Sequence, residues 1–372
     1  MNDTHGKAAA FRSCTRFLSL DPPPDPRQTL AALAEYLPEG TPADHYGGGA
    51  LLEDFERRIA RLLGKPAAVF GPSGKMLQNA ALRAWADRAG CRAIALHPQS
   101  HIAADEADAY REVFGLTPAW LGRPGALPMA AELAALDGPL GAVAVELPLR
   151  NIGCRTPSWA ELTAFADLCR ERRIVFHADA ARLWEIQPFY GISHAEIAEP
   201  FDSLYVSFYK GLGGLAGGAL AGPEDLVAEV RLWQQRCGGR LRRLFPYIAA
   251  AQQGLDERLA RMPLYHEKAK AIAAALAVLP GVTVTPDPPQ ANAFQVTLET
   301  GEGDLMAAAL DVAAAQRIWL FEEPLAPSPE GFARFEITVR EGALMLSETE
   351  IIAAIRELQT ALARRQGAQD TA

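Results

Sequence analysis

Between residues 141 and 176 the chain passes from a short apolar run (GAVAVEL, 141–147) through an amphipathic stretch (WAELTAFADLCRER, 159–172) into a second apolar run (IVF, 174–176). Short uninterrupted apolar runs suit strands buried on both faces, and the stretch between them has helical period. Thr156 followed by Pro157 reads as an N-cap with proline at the first helical position. The unit is a βαβ crossover. The same pattern predicts strands at 67–70, 93–96 and 204–207, a helix from Ser73, and a Gly-rich return strand at 217–221. An α/β fold with a mostly parallel sheet of six or seven strands follows.

The pattern changes after about residue 255. A long helical stretch to Leu279 precedes strands around 282–284 and 293–298, a helix near 305–315, a strand through 332–339 and a terminal helix from Ser347 to about Arg365. The first 25 residues end in DPPPDP, whose prolines favour an extended path. The expected organisation is an N-terminal arm (1–25), a large domain (26–255) and a small α+β domain (256–372), which 372 residues are ample to build.

Thirty-six Lys and Arg against 45 Asp and Glu leave a net charge of −9. With no long basic run, the chain is not built to neutralise a phosphate backbone, so nucleic acid is not an expected partner. Apolar runs stop short of a membrane span and the N-terminus has no signal-peptide pattern, so a soluble, cytoplasmic protein is expected. Cys14, Cys91, Cys154, Cys169 and Cys237 lack CxxC spacing, and the seven histidines form no metal-ligand pair. The cysteines read as reduced and mostly buried, and no metal is expected.

Four segments carry chemistry. The string SLYVSFYKGLGGLAGG delivers Lys210 from a strand end into a glycine-rich loop, where open α/β sheets place ligands. An amine desolvated there suits covalent chemistry with a carbonyl cofactor, although taken alone it is also an ordinary strand-end lysine. In IVFHADAARLW, period two puts His177 and Asp179 on one face. Asp179 can hold a pyridinium nitrogen protonated or cap a following helix, and His177 reads as its core support. The turn in VFGPSGKMLQN offers free N–H groups at a helix start, good for phosphate, without Walker A spacing. His101, after a strand, is placed to stack on a cofactor ring or to act as acid or base, or is simply a surface-loop histidine.

These four segments, in this order, resemble the threonine aldolase branch of the β-eliminating lyases, enzymes of pyridoxal 5′-phosphate (PLP) fold type I. The similarity runs from about Phe11 to Ile352. It implies a large domain with a mostly parallel seven-stranded sheet, PLP as cofactor, and Lys210 as the lysine that bonds it. Asp179 would partner the pyridine nitrogen and His101 would stack on the ring. Ser73, Gly74 and Lys75 stand where the family's Ser-Gly-Thr turn binds phosphate. FRSCTRF resembles the family's Arg-Ser-Asp-Thr, which makes Ser13 a contact for the substrate carboxylate, together with Arg182 and Arg334. In GGRLRRL, Arg242 matches an arginine that reaches a phosphate across a subunit interface, with Arg240 and Arg243 as near competitors. The resemblance therefore also implies a homodimer or homotetramer with shared sites. Tyr46 and Gly47 match the family's Tyr-Gly-Asp-Asp.

The departures bear on the reaction. The family's aspartate after Ser is Cys14, its paired aspartates are Gly48 and Gly49, and its Glu-Asn-Thr-His reads Glu146–Leu147–Pro148–Leu149. Leu149 thus replaces the histidine expected at the substrate hydroxyl. The implied activity is aldol cleavage of a β-hydroxy-α-amino acid, such as L-threonine or L-allo-threonine, to glycine and an aldehyde, with His101 as base. β-Elimination releasing ammonia and a 2-oxo acid uses the same residues and is the alternative. A non-catalytic relative would have no need of Lys210, Asp179, His101, Arg182 and Arg334 together.

Overall fold

The computed structural model describes residues 4–326, 328 and 330–369. Its strands in chain order are β1 (Arg16–Phe17), β2 (Ala67–Gly71), β3 (Ala93–Leu96), β4 (Thr117–Trp120), β5 (Ala142–Glu146), β6 (Phe176–Asp179), β7 (Ser203–Ser207), β8 (Gly218–Gly222), β9 (Val282–Thr285), β10 (Ala293–Leu298), β11 (Ile318–Trp319) and β12 (Ala333–Thr338). The chain divides into two compact units, Leu30–Met262 and the combination of Met1–Thr29 with Pro263–Ala372.

Leu30–Met262 is built on a seven-stranded sheet of order β2-β8-β7-β6-β5-β3-β4. Pairings from β7 through β6, β5 and β3 to β4 are parallel, while β8 runs antiparallel to both β2 and β7. The central strands are buried along their length, which is why they read as continuous apolar runs. Register aligns Glu146 with Asp179, and Asp179 with Tyr205. Three polar side chains thereby end in one row at the carboxyl edge.

On one face, helices 74–89 and 224–236 pack over Val69, Ile94, Leu96 and Leu220. Phe55, Phe70 and Phe208 meet as a second group, with Phe55 ring centroids 5.4 and 5.2 Å from the other two. Helix Trp159–Arg172 matches its sequence pattern, but its cap is Ser158 rather than Thr156. The Ser158 hydroxyl accepts from Glu161 N, and Glu161 accepts from Ser158 N at 2.7 Å, a reciprocal capping box. Thr156 is buried instead against the Tyr190 hydroxyl at 3.0 Å.

The other unit carries the antiparallel sheet β12-β10-β9 and the parallel pair β1–β11. Helices 302–316 and 348–369 pack together, and a helix at Thr4–Ser13 lies on the first of them. Cys14 is buried there with Phe17, Ala313 and Trp319, so it serves as core filler. Cys154 and Cys169 are also buried, whereas Cys91 is partly buried and Cys237 exposed.

Candidate active site

The carboxyl edge of the seven-stranded sheet opens into a cavity of about 310 Å³. Ser73, Gly74, Lys75, His101, Asp179 and Lys210 all line it. Ser73 is extended and precedes the 16-residue helix Gly74–Ala89, and its hydroxyl caps no backbone group of that helix. Gly74 is required by contact, because a Cβ there would lie 1.9 Å from the Tyr205 hydroxyl oxygen. Further along the lysine loop, Gly217 has φ of +95° and abuts Phe70, which only glycine tolerates.

Asp179 ends β6 and is buried, accepting from Ala181 N at 3.2 Å. The helix that follows starts at Leu183 with Arg182 at its cap, so Asp179 is not an N-cap. Lys210 has its pKa lowered to about 8, chiefly by burial and next by the charge of Arg182, against the opposing charges of Asp179, Glu146 and Glu185. Glu146 ends β5, and burial followed by the charge of Asp179 raises its pKa to about 7. Its two oxygens accept from His101 N at 2.7 Å and Arg150 N at 3.1 Å.

His101 opens a one-turn helix at 101–104, and its Nδ1 lies 3.0 Å from Glu106 Oε1. Burial alone would lower its pKa. The hydrogen bond His101 donates to Glu106 and the charges of Asp179, Glu106 and Glu146 outweigh that and hold it above the ordinary imidazole value. His177 is a core histidine whose Nδ1 meets Ser203 Oγ at 2.8 Å, so its hydrogen bond goes to Ser203 rather than Asp179, and burial lowers its pKa to about 4.

The remaining expected residues lie elsewhere. Arg182 sits at the start of helix 183–190, within electrostatic reach of Lys210 and Tyr209. Arg240, Arg242 and Arg243 are exposed, with Arg240 Nε donating to the Tyr46 carbonyl and Tyr46 N donating to the Arg242 carbonyl at 3.3 Å. Ser13 and Arg334 belong to the unit of Met1–Thr29 and Pro263–Ala372. Ser13 Oγ donates to the Ala10 carbonyl at 2.8 Å, and Arg334 lies on β12. Leu149 is buried and pairs its backbone with Arg155. Sequence reasoning gave no role to Gln78, Glu106, Glu185 or Tyr205. All but Glu185 line the cavity, and Glu185 accepts from Gly211 N at 2.7 Å just beyond Lys210.

This donor set fits PLP. A helix start with a spare serine hydroxyl suits a phosphate, a lysine of depressed pKa suits an aldehyde carbon, and a buried carboxylate at a strand end suits a ring nitrogen. The buried Gln78 Oε1, which lacks a hydrogen-bond partner, marks room for a further donor.

Residues 32–299 match the model of the β-eliminating lyase family. The chain is 26% identical over 256 residues to low-specificity L-threonine aldolase 1 of Arabidopsis thaliana, covering 66% of this chain and 71% of that protein. Among solved structures, a Listeria monocytogenes protein described as an L-allo-threonine aldolase superposes with a TM-score of 0.90 at 36% identity, covering 96% of this chain and 99% of the other. An Exiguobacterium protein described as an aromatic amino acid β-eliminating lyase/threonine aldolase does so at 0.90 and 34%, over 96% and 99%. The fold is fold type I, its cofactor is PLP, and the chain is a lyase. By matched family model, identity and coverage, it belongs to the β-eliminating lyase family.

Proposed function

We propose that the protein is a PLP-dependent aldolase that cleaves the Cα–Cβ bond of a β-hydroxy-α-amino acid resembling L-threonine or L-allo-threonine, releasing glycine and an aldehyde. The observation that supports it is the meeting of Lys210, Asp179 and His101 around one cavity. When bound, PLP supplies an electron-withdrawing ring that accepts the pair left at Cα. Lys210, with a pKa near 8, offers a neutral amine at neutral pH far more readily than an exposed lysine. Asp179 keeps a carboxylate at the ring nitrogen's place. His101 takes the proton from the β-hydroxyl oxygen.

Ser73, Gly74 and Lys75 hold the phosphate, and Arg242 joins them from a second subunit, in keeping with a homodimer or homotetramer working in the cytoplasm. Ser13, Arg182 and Arg334 take the substrate carboxylate. No helix among the described residues is long and apolar enough to cross a membrane.

The test saturates the protein with PLP and supplies L-threonine, L-allo-threonine and β-phenylserine, assaying glycine, aldehyde, ammonia and 2-oxo acid separately. Glycine with stoichiometric aldehyde is expected. Ammonia with a 2-oxo acid would replace the proposal by β-elimination.

A further inference from the structure

Glu106 follows His101 by five residues, just past the one-turn helix, and its side chain is buried. Burying a carboxylate is costly unless its lone pairs are filled. Here they are filled from three directions. Gln78 Nε2 donates to Oε1 at 2.7 Å, Asn79 Nδ2 donates to Oε2 at 2.6 Å, and His101 Nδ1 approaches Oε1 at 3.0 Å. Gln78 and Asn79 are buried neighbours on helix 74–89, and Asn79 is tied to the Lys75 carbonyl at 2.8 Å. The helix that begins the phosphate turn therefore also grips the partner of His101.

A carboxylate offers only acceptors, so the contact requires a proton on Nδ1. In the neutral ring the lone pair then falls on Nε2. We propose that Glu106 is a positioning residue that fixes His101 in the Nδ1–H tautomer, so that Nε2 is the atom that takes the substrate hydroxyl proton, with Gln78 and Asn79 holding Glu106 in place. The inference rests on the reading of His101 as the base. Once Nε2 has taken the proton, the ring is a cation, and Glu106 stabilises that cation as an oriented carboxylate does in other histidine-based sites. Asp179 and Glu146 also face His101 electrostatically, and they favour the cation without specifying the tautomer.

The experiment uses the PLP-loaded enzyme, its Glu106→Gln and Glu106→Asp variants, and His101→Phe. Long-range ¹H–¹⁵N spectra of the imidazoles, assigned through His101→Phe, report tautomer and pKa independently of turnover. In the wild type His101 is expected in the Nδ1–H form. Glu106→Gln is expected to lower the His101 pKa by about one unit, from loss of a hydrogen-bonded charge. It should also lower kcat about 10- to 100-fold, as loss of an orienting partner does, with KM little changed. Glu106→Asp should restore part of both.

An Nε2–H wild-type tautomer overturns the proposal without requiring any variant to fold. So does a Glu106→Gln enzyme with unmoved imidazole pKa and pH profile while His101→Phe is inactive. Full activity in His101→Phe would instead remove the reading of His101 as base, and the imidazole spectra would still decide the Glu106 pairing.

Discussion

Glu146 and Asp179 are register partners on the adjacent parallel strands β5 and β6, which sets a partly buried and a buried carboxylate side by side at the sheet's carboxyl edge. Burial first, and then the charge of Asp179, lifts the Glu146 pKa from 4.5 to about 7. A carboxyl whose folded pKa is raised binds more protons folded than unfolded between those values. Its contribution is full below about 4.5 and is lost as pH rises through 7. Glu146→Gln is therefore expected to gain on the wild type as pH rises, by about 1–3 kcal/mol between pH 4.5 and 7.5, because each pKa unit is worth about 1.4 kcal/mol. Urea melts at the two pH values check this. A pH-independent difference contradicts it.

Among the charges around it, Arg182 and Asp179 pull Lys210 in opposite directions. Arg182 adds to burial in lowering its pKa, and Asp179 raises it. Arg182→Met is expected to raise the Lys210 pKa above 8 and Asp179→Asn to lower it further, each by roughly half to one unit. The pH dependence of the rate at which PLP's absorbance band forms with each protein measures the shift. Shifts of the same sign in both variants would show that burial changes dominate.

These groups were unequally legible in the sequence. Lys210, Asp179 and the turn at Ser73–Gly74 follow directly from strand ends, since a run such as SLYVS or IVFHAD announces its own carboxyl terminus. Ser158 was missed as the cap because Thr156–Pro157 also has cap chemistry; the deciding signal was Glu161, three residues after Ser158. β4 escaped because TPAW is a half-exposed edge strand without an apolar run. The helix at Thr4–Ser13 was masked by the prolines that follow it. Glu106 was illegible for a different reason. Its role exists only when helix 74–89 and the turn at 101–106 meet, and no local spacing encodes that contact. Glu146 did leave a trace, as the lone charge closing an apolar run.

His194 packs against Trp184 with ring centroids 5.2 Å apart, and its Nε2 is buried without a hydrogen-bond partner. Burial lowers its pKa from 6.5 to about 4. A histidine with a depressed folded pKa takes up protons preferentially in the unfolded chain, so its contribution is full above about 6.5 and is lost as pH falls toward 4. His194→Phe keeps a ring on Trp184 and removes the titration. The variant is expected to gain on the wild type on acidification, by about 1–3 kcal/mol between pH 7 and 4.5, within the ceiling set by about 1.4 kcal/mol per unit. Thermal melts across that range decide it, and parallel curves for the two proteins would show that His194 charges freely in the fold.

Gly74 and Tyr205 bring the Ser73–Gly74 turn and β7 into direct contact. A Cβ on residue 74 would sit 1.9 Å from the Tyr205 hydroxyl oxygen and 2.2 Å from its Cζ. Tyr205 is buried in β7, so Gly74→Ala must move the helix start or the Tyr205 ring. Overpacking of this kind costs about 1–3 kcal/mol. On the proposed role of this turn, displacing it also displaces the N–H groups that would hold the phosphate, so PLP should dissociate at least about tenfold more readily, the equivalent of one lost charge-assisted hydrogen bond. Adding Tyr205→Phe removes the oxygen but leaves the ring carbon, and is expected to restore stability only in part. Gly303→Ala is the control: nothing lies within 4 Å of its Cβ, and it falls inside helix 302–316. There the same substitution should be neutral or stabilise by about 0.5–1 kcal/mol through helix propensity. If Gly74→Ala matched that control in both melting temperature and PLP affinity, the contact between the turn and β7 would not govern the site.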